Sequence, residues 1–288
     1  MSNIIHFIDS VIQYQYLQNA IIASILVGII CGVTGCFIIL RGMALLGEAI
    51  SHAVLPGVAI AYILGFNFFI GAIFTGVFTA LGIGYITKNS KIKDDSAIGI
   101  MFTAAFALGI VLITAQSGTD VHLWHILFGN VLAVSTNDLI ITIIIGFIVL
   151  ISIFLFYKEL VLSTFDLTMA KAIGLPTKLI HYSLMFVLSL VTVASLKIVG
   201  VVLVVAMLIT PGATAYLLTD RINIMLPLAA IFGIISSILG TYYSFIYDVA
   251  TGAMIVLIAS IIFILALFLS PKNGIAFNYI KKVRGDDL

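Results

Sequence analysis

Nine runs of about 20 apolar residues, each closed by a short polar break, decide what this chain can fold into. A helix needs about 20 residues to cross the ~30 Å hydrocarbon layer, and in lipid every backbone N–H and C=O must find its partner within the protein. The runs fall at about 17–40, 43–64, 68–86, 97–115, 139–157, 179–196, 199–218, 224–246 and 249–269. Composition removes the soluble alternative. The 288 residues are 62% hydrophobic and 9% charged, whereas soluble domains carry about 25% charged residues. The fold expected is all-α, a polytopic helical membrane protein of eight to nine spans, with little room for a soluble domain.

The flanks and loops suggest an orientation. Residues 1–16 hold no basic run and no small-residue cleavage site, so an interfacial amphipathic helix is expected there rather than a signal peptide. Residues 17–271 form the membrane domain and 272–288 a basic tail. With alternating spans, one side collects Arg41, Lys88, Lys91, Lys93, Lys158, Lys171, Lys178, Arg221, Lys272, Lys281, Lys282 and Arg284, leaving Lys197 for the other. That is 12 basic residues against one, so by the positive-inside rule the first side is cytoplasmic. A prokaryotic plasma membrane, an outer N-terminus and a cytoplasmic C-terminus follow as expectations. Cys31 and Cys36, five apart in an apolar run, form no Cys-x-x-Cys motif and read as packing residues.

Against this background one stretch stands out: Arg41-Gly-Met-Ala-Leu-Leu-Gly-Glu48-Ala-Ile-Ser-His52-Ala-Val-Leu-Pro56-Gly57. Its carboxylate and imidazole are four residues apart, on one helical face. A carboxylate near mid-bilayer costs about 2.5–3.5 kcal/mol on insertion scales. Oxygen plus imidazole nitrogen suits Mn²⁺, Fe²⁺ or Zn²⁺. Two ligands are too few for a metal ion, and a symmetric dimer would supply four. A structural polar pair is the competing reading. With a helix start near residue 43, a rise of about 1.5 Å per residue puts Glu48 roughly 8 Å and His52 roughly 13 Å in. Pro56-Gly57 just beyond permits a kink.

Two further groups carry chemistry. In 163–176, Asp166 is a plausible N-cap, Leu167, Ala170 and Ile173 are expected to share a face, and Gly174 and Pro176 stop the helix. Such a short capped helix serves either as a connector or as a docking element. Asp120, His122 and His125 cluster on the expected outer side, where a metal-entry role competes with ordinary loop residues. No Gly-x-x-x-x-Gly-Lys-Ser/Thr loop is present, so the chain is expected to be a transport subunit without an ATPase site of its own, not an enzyme. A secondary metal/proton transporter or channel, with Glu48 and His52 as a relay, is the alternative.

The Arg41–Gly57 stretch resembles the second-helix signature of the manganese/zinc/iron permease family of ABC importers. Asp95-x-Ala-Ile-Gly99, His125-Ile-Leu-Phe-Gly-Asn130, Phe165-Asp-x-x-x-Ala170-x-x-x-Gly174 and Ala206-Met-Leu-Ile-Thr-Pro211 fit the same family in the same order. The resemblance implies a homodimeric permease similar to vitamin B12-type importers. It also implies a separate cytoplasmic ATPase that binds ATP, and an extracellular metal-binding protein, lipoprotein or periplasmic, that delivers Mn²⁺ or Zn²⁺, with Fe²⁺ as a further substrate. By the same likeness Glu48 and His52 are the metal ligands, and Phe165, Asp166, Ala170 and Gly174 belong to the helix that couples to the ATPase. Many members carry Asp where this chain has Glu48. The extra methylene moves the ligand oxygen and with it the coordination geometry.

Overall fold

The structure, a computed structural model, describes residues 2–115 and 131–270. These residues are helical apart from short connections. In chain order the helices are α1 (Ser2–Gln13), α2 (Gln15–Leu40), α3 (Leu46–Ala53), α4 (Leu55–Leu64), α5 (Phe68–Asn89) and α6 (Asp94–Thr114). A 3₁₀ turn at Val131–Ala133 then precedes α7 (Thr136–Leu155), α8 (Tyr157–Phe165), α9 (Leu167–Ala172), α10 (Thr177–Leu218), α11 (Ile222–Tyr247) and α12 (Thr251–Leu269). Among the described residues eight stretches are long and apolar enough to cross a membrane, α3 and α4 counting together as Leu46–Leu64.

Nine apolar runs and eight stretches describe the same chain. The runs at 179–196 and 199–218 both lie in α10, whose 42 residues would measure about 63 Å at 1.5 Å per residue, roughly two hydrocarbon thicknesses. The break falls at Gly200, with φ 78° and ψ 170°. Sequence reading marks a turn at Lys197 and an interruption within the next run at Thr210-Pro211-Gly212, and the helix runs through both. The reason is conformational. The Gly200 geometry is essentially open to glycine alone, whereas Pro211 removes one backbone bond that a membrane helix can compensate.

The chain divides into two compact units. The first takes the described parts of Met1–Ile39, Asn130–Leu139 and Val202–Leu288. Its centre is α2, where Val27, Ile30, Cys31 and Phe37 are all buried. Lipid is as apolar as leucine, so helices here associate through close packing and hydrogen bonds rather than by escaping water. Accordingly Ser237 Oγ on α11 donates to the Ser24 carbonyl on α2 at 2.8 Å. Ser244 Oγ and Thr251 Oγ1 join α11 to the start of α12 at 2.7 Å. On α1, Phe7 sets its ring against Tyr242 and Phe245 of α11, at 5.3 and 5.4 Å. Ile5, Ile8 and Ile12 stay exposed, an apolar strip that suits a membrane interface.

The second unit takes the described parts of Leu40–Gly129 and Ile140–Val201. Here α4 and α5 cross backbone to backbone: a Cβ on Gly57 would lie 2.0 Å from the Gly71 carbonyl oxygen. Phe74 and Phe78 on α5, and Phe147 and Phe154 on α7, are exposed. Such large apolar surfaces are a liability in water and ordinary against lipid.

Candidate metal site and docking helix

Helix α3 begins at Leu46, three residues later than the apolar run suggests, because Gly42 takes a positive φ of 68° and residues 41–45 form turns. Glu48 therefore lies in the first helical turn, about 3 Å along, and His52 about 9 Å along. Both are shallower on the helix than the sequence estimate. Leu46, Gly47, Ala49, Ile50 and Ala53 are buried, as is Ser51, whose hydroxyl donates to the Gly47 carbonyl at 2.8 Å. That burial pattern leaves Glu48 exposed and His52 half-buried. Glu48 is the one exposed residue of α3, and His52, one turn on, is partly covered.

The His52 ring is bounded by Phe102 and Phe106 of α6, with ring centroids 5.4 and 5.5 Å away. Its Nδ1 is buried without a hydrogen-bond partner. Metal-ligating histidines ordinarily have their second nitrogen oriented by a hydrogen bond. Here the rings of Phe102 and Phe106 are what lies against the imidazole. The helix then halts at Val54. Pro56 has no N–H for the His52 carbonyl four residues back, which the Val54 N–H meets instead. The expected kink is thus a break between α3 and α4. No group of three or more His, Cys, Asp or Glu side chains that could hold a metal occurs among the described residues. Among the described residues this face of α3 offers one carboxylate and one imidazole.

The second element forms where the sequence places it. The Asp166 carboxylate accepts the Met169 N–H at 2.8 Å. At the other end Gly174, at φ 82°, donates to the Lys171 carbonyl at 3.1 Å, and Leu175 N–H donates to the Ala170 carbonyl at 3.0 Å. These two bonds are the Schellman pattern. The expected face is corrected. Leu167, Ala170 and Ile173 do not share one: Ala170 is fully buried, while Ile173 is 56% exposed. The large apolar side chains left exposed here are Phe165 at the end of α8, Met169 on α9 and Ile173 just after it, at 59, 52 and 56% exposure. The small Ala170 is what lets α9 lie close against its own unit.

A third feature escaped sequence reading. Arg41 Nη2 donates to Ser163 Oγ at 3.0 Å and its Nε to Thr164 Oγ1 at 3.2 Å. Burial pushes this guanidinium down to about 10 from its ordinary 12.5, so at neutral pH it is charged. No sequence spacing signals a contact over 122 positions. The Phe102 and Phe106 rings beside His52 were equally hidden, since two phenylalanines four apart in an apolar run read as lipid-facing. Asp120, His122 and His125 lie outside the described residues.

The ABC 3 transport family model matches residues 13–270. The chain belongs to that family. Within it, the chain is 66% identical over 288 residues to the manganese transport system membrane protein MntC of Halalkalibacterium halodurans, covering 100% of this chain and 99% of that one. It is 48% identical to the manganese import system permease protein ScaB of Streptococcus gordonii, over 96% of this chain and 98% of that one. Among solved structures, PsaBC from Streptococcus pneumoniae in complex with Fab matches with TM-score 0.84 and 47% identity, over 98% of this chain and 99% of that chain. An inward-facing putative metal-chelate type ABC transporter shares the fold, with TM-score 0.72 at 18% identity. The ABC 3 signature residues are therefore borne by a chain that matches its relatives over nearly their whole length.

Proposed function

We propose that this chain is the permease subunit of an ABC importer that moves Mn²⁺ into the cell, and that Glu48 and His52 hold the ion in transit. Its family and the manganese transporters it resembles support the first part. The observation that carries the second is Glu48, exposed on α3, with His52 half-buried one helical turn further on. Two copies would bring two carboxylates and two imidazoles to one ion, a hard and borderline donor set suited to Mn²⁺. An importer must also release its cargo. A site built from two half-sites does so when the copies move apart, with no single chain holding the ion by itself.

In the cycle we propose, an outer binding protein delivers Mn²⁺, and the paired Glu48 and His52 receive it. ATP binding and hydrolysis on a cytoplasmic ATPase shift α9, which docks through Phe165, Met169 and Ile173. The 12-to-one bias of basic residues supports a cytoplasmic position for α9. Proteoliposomes holding the assembled complex test the ligand assignment directly. Glu48→Ala and His52→Ala should each lose Mn²⁺ uptake while retaining the ATPase. Wild-type uptake in both would overturn it.

A further inference from the structure

We propose that Arg41 is the positioning residue through which movement of the docking helix reaches the metal helix. The proposal rests on the docking reading of α9 given above. Arg41 lies seven residues before Glu48, in the turn that feeds α3. Its two hydrogen-bond acceptors, Ser163 and Thr164, close α8, and Thr164 stands two residues before Asp166, the N-cap of α9. One side chain therefore spans from the approach to the metal helix to the approach to the docking helix.

The acceptors are held for this contact. Ser163 Oγ donates to the Leu160 carbonyl at 3.0 Å and Thr164 Oγ1 donates to the same carbonyl at 2.7 Å. With both hydroxyl protons committed, the remaining lone pairs accept from Arg41. The guanidinium is a rigid planar fork that meets two acceptors at once, which a lysine ammonium on a flexible stem does not reproduce. Among the described residues Arg41 has no carboxylate partner. A half-buried cation hydrogen-bonded to two neutral hydroxyls, with Asp94 across the same cavity, is an expensive way to fill space, so simple packing does not account for it.

The surroundings suit a moving part. A cavity of about 330 Å³ is walled by Leu167 of α9, by Arg41, Ser163 and Thr164, and by Lys88, Asp94 and His181. The space leaves α9 room to shift, and the Arg41 bonds lie along its wall. Coupling needs an element that both sites bias. Here that element is the Arg41 turn, joined by covalent chain to α3 and by hydrogen bonds to the end of α8.

Reconstituted permease–ATPase complexes report three quantities: ATPase retained on purification, ATP hydrolysed, and Mn²⁺ transported per ATP. Arg41→Gln and the double variant Ser163→Ala/Thr164→Val should keep the ATPase and its hydrolysis. Mn²⁺ per ATP should fall about tenfold in each, the scale of a coupling contact. Arg41→Lys should recover only part of the loss. The double variant decides even where Arg41→Gln does not fold, because it leaves Arg41 in place. Wild-type Mn²⁺ per ATP in the double variant overturns the proposal. Loss of the ATPase from it does so too, since the contact would then shape the docking surface. Met169→Asp separates the underlying reading: an ATPase still bound to that variant defeats docking through α9, whatever the transport ratio of the others.

Discussion

Helices α3 and α9 are both short, at eight and six residues, and both lie in the second unit, yet their polar groups are treated in opposite ways. On α9 the ends are closed: Asp166 caps one and the Gly174 and Leu175 amides close the other, while Phe165, Met169 and Ile173 stand uncovered. On α3 the apolar residues are buried and Glu48 alone is exposed, with His52 half-buried against Phe102 and Phe106. His52 Nδ1 has no partner, and the helix ends against a proline. A helix with satisfied ends moves as a body, which suits a part that is pushed. A helix with unsatisfied side chains has donors left for an ion. On the function proposed above, the difference would separate a mechanical task from a chemical one.

The largest expected effects would break that separation. His52→Ala should lower Mn²⁺ uptake by about 100-fold or more, since even outer partners of a metal matter 10–100-fold, with the ATPase still bound. Met169→Asp should do the reverse: the ATPase is lost on purification, because a buried unpaired carboxylate costs several kcal/mol, while Mn²⁺ binding to the permease persists. Loss of both properties in either variant would show that the two helices do not divide the work. Next in size is Gly57→Ala. Its Cβ would meet the Gly71 carbonyl at 2.0 Å, a backbone clash that no rotamer relieves. Overpacking of this kind costs about 1–3 kcal/mol, read as a lower melting temperature of the detergent-solubilised permease. An unchanged melting temperature would mean that α4 is free to slide on α5.

A smaller effect is expected on α9 itself. Gly174 at φ 82° would become strained as alanine, by about 1–2 kcal/mol, enough for roughly a tenfold loss in ATPase affinity measured by titration. Asp166→Ala removes the other cap, at about 1 kcal/mol. If neither variant changes affinity, the docking surface does not depend on the helix being held at its ends.

These elements were not equally legible. Asp166 and Gly174 act through bonds to backbone three or four positions away, so capping chemistry alone locates α9 to within a residue. Glu48 and His52 were legible for another reason: in a chain with 9% charged residues, an ionisable pair one turn apart is conspicuous. The outward face of α9 was misread because helical periodicity groups Leu167, Ala170 and Ile173 without saying which face the protein covers. The break in α10 was displaced to Lys197 and Pro211 because a charge and a proline are visible in a sequence, while the φ of a glycine is not. The Arg41 contact depends on tertiary proximity, for which apolar runs carry no signal.

The smallest expected effect concerns how His52 is aimed. With Nδ1 unpartnered, Phe102 at a 49° interplanar angle and Phe106 at 80° are the contacts that fix the ring. An aromatic pair is worth about 0.5–1.5 kcal/mol beyond simple burial, so Phe102→Leu should raise the Mn²⁺ concentration for half-maximal uptake by about 3–10-fold. Phe102→Tyr, which keeps a ring at the same place, should stay near wild type. Docking at α9 should not change in either. Should Phe102→Leu and Phe106→Leu both transport like wild type, the ring must be held from its open side instead. On the function proposed above, the groups able to do so include those of a second copy and the ion itself.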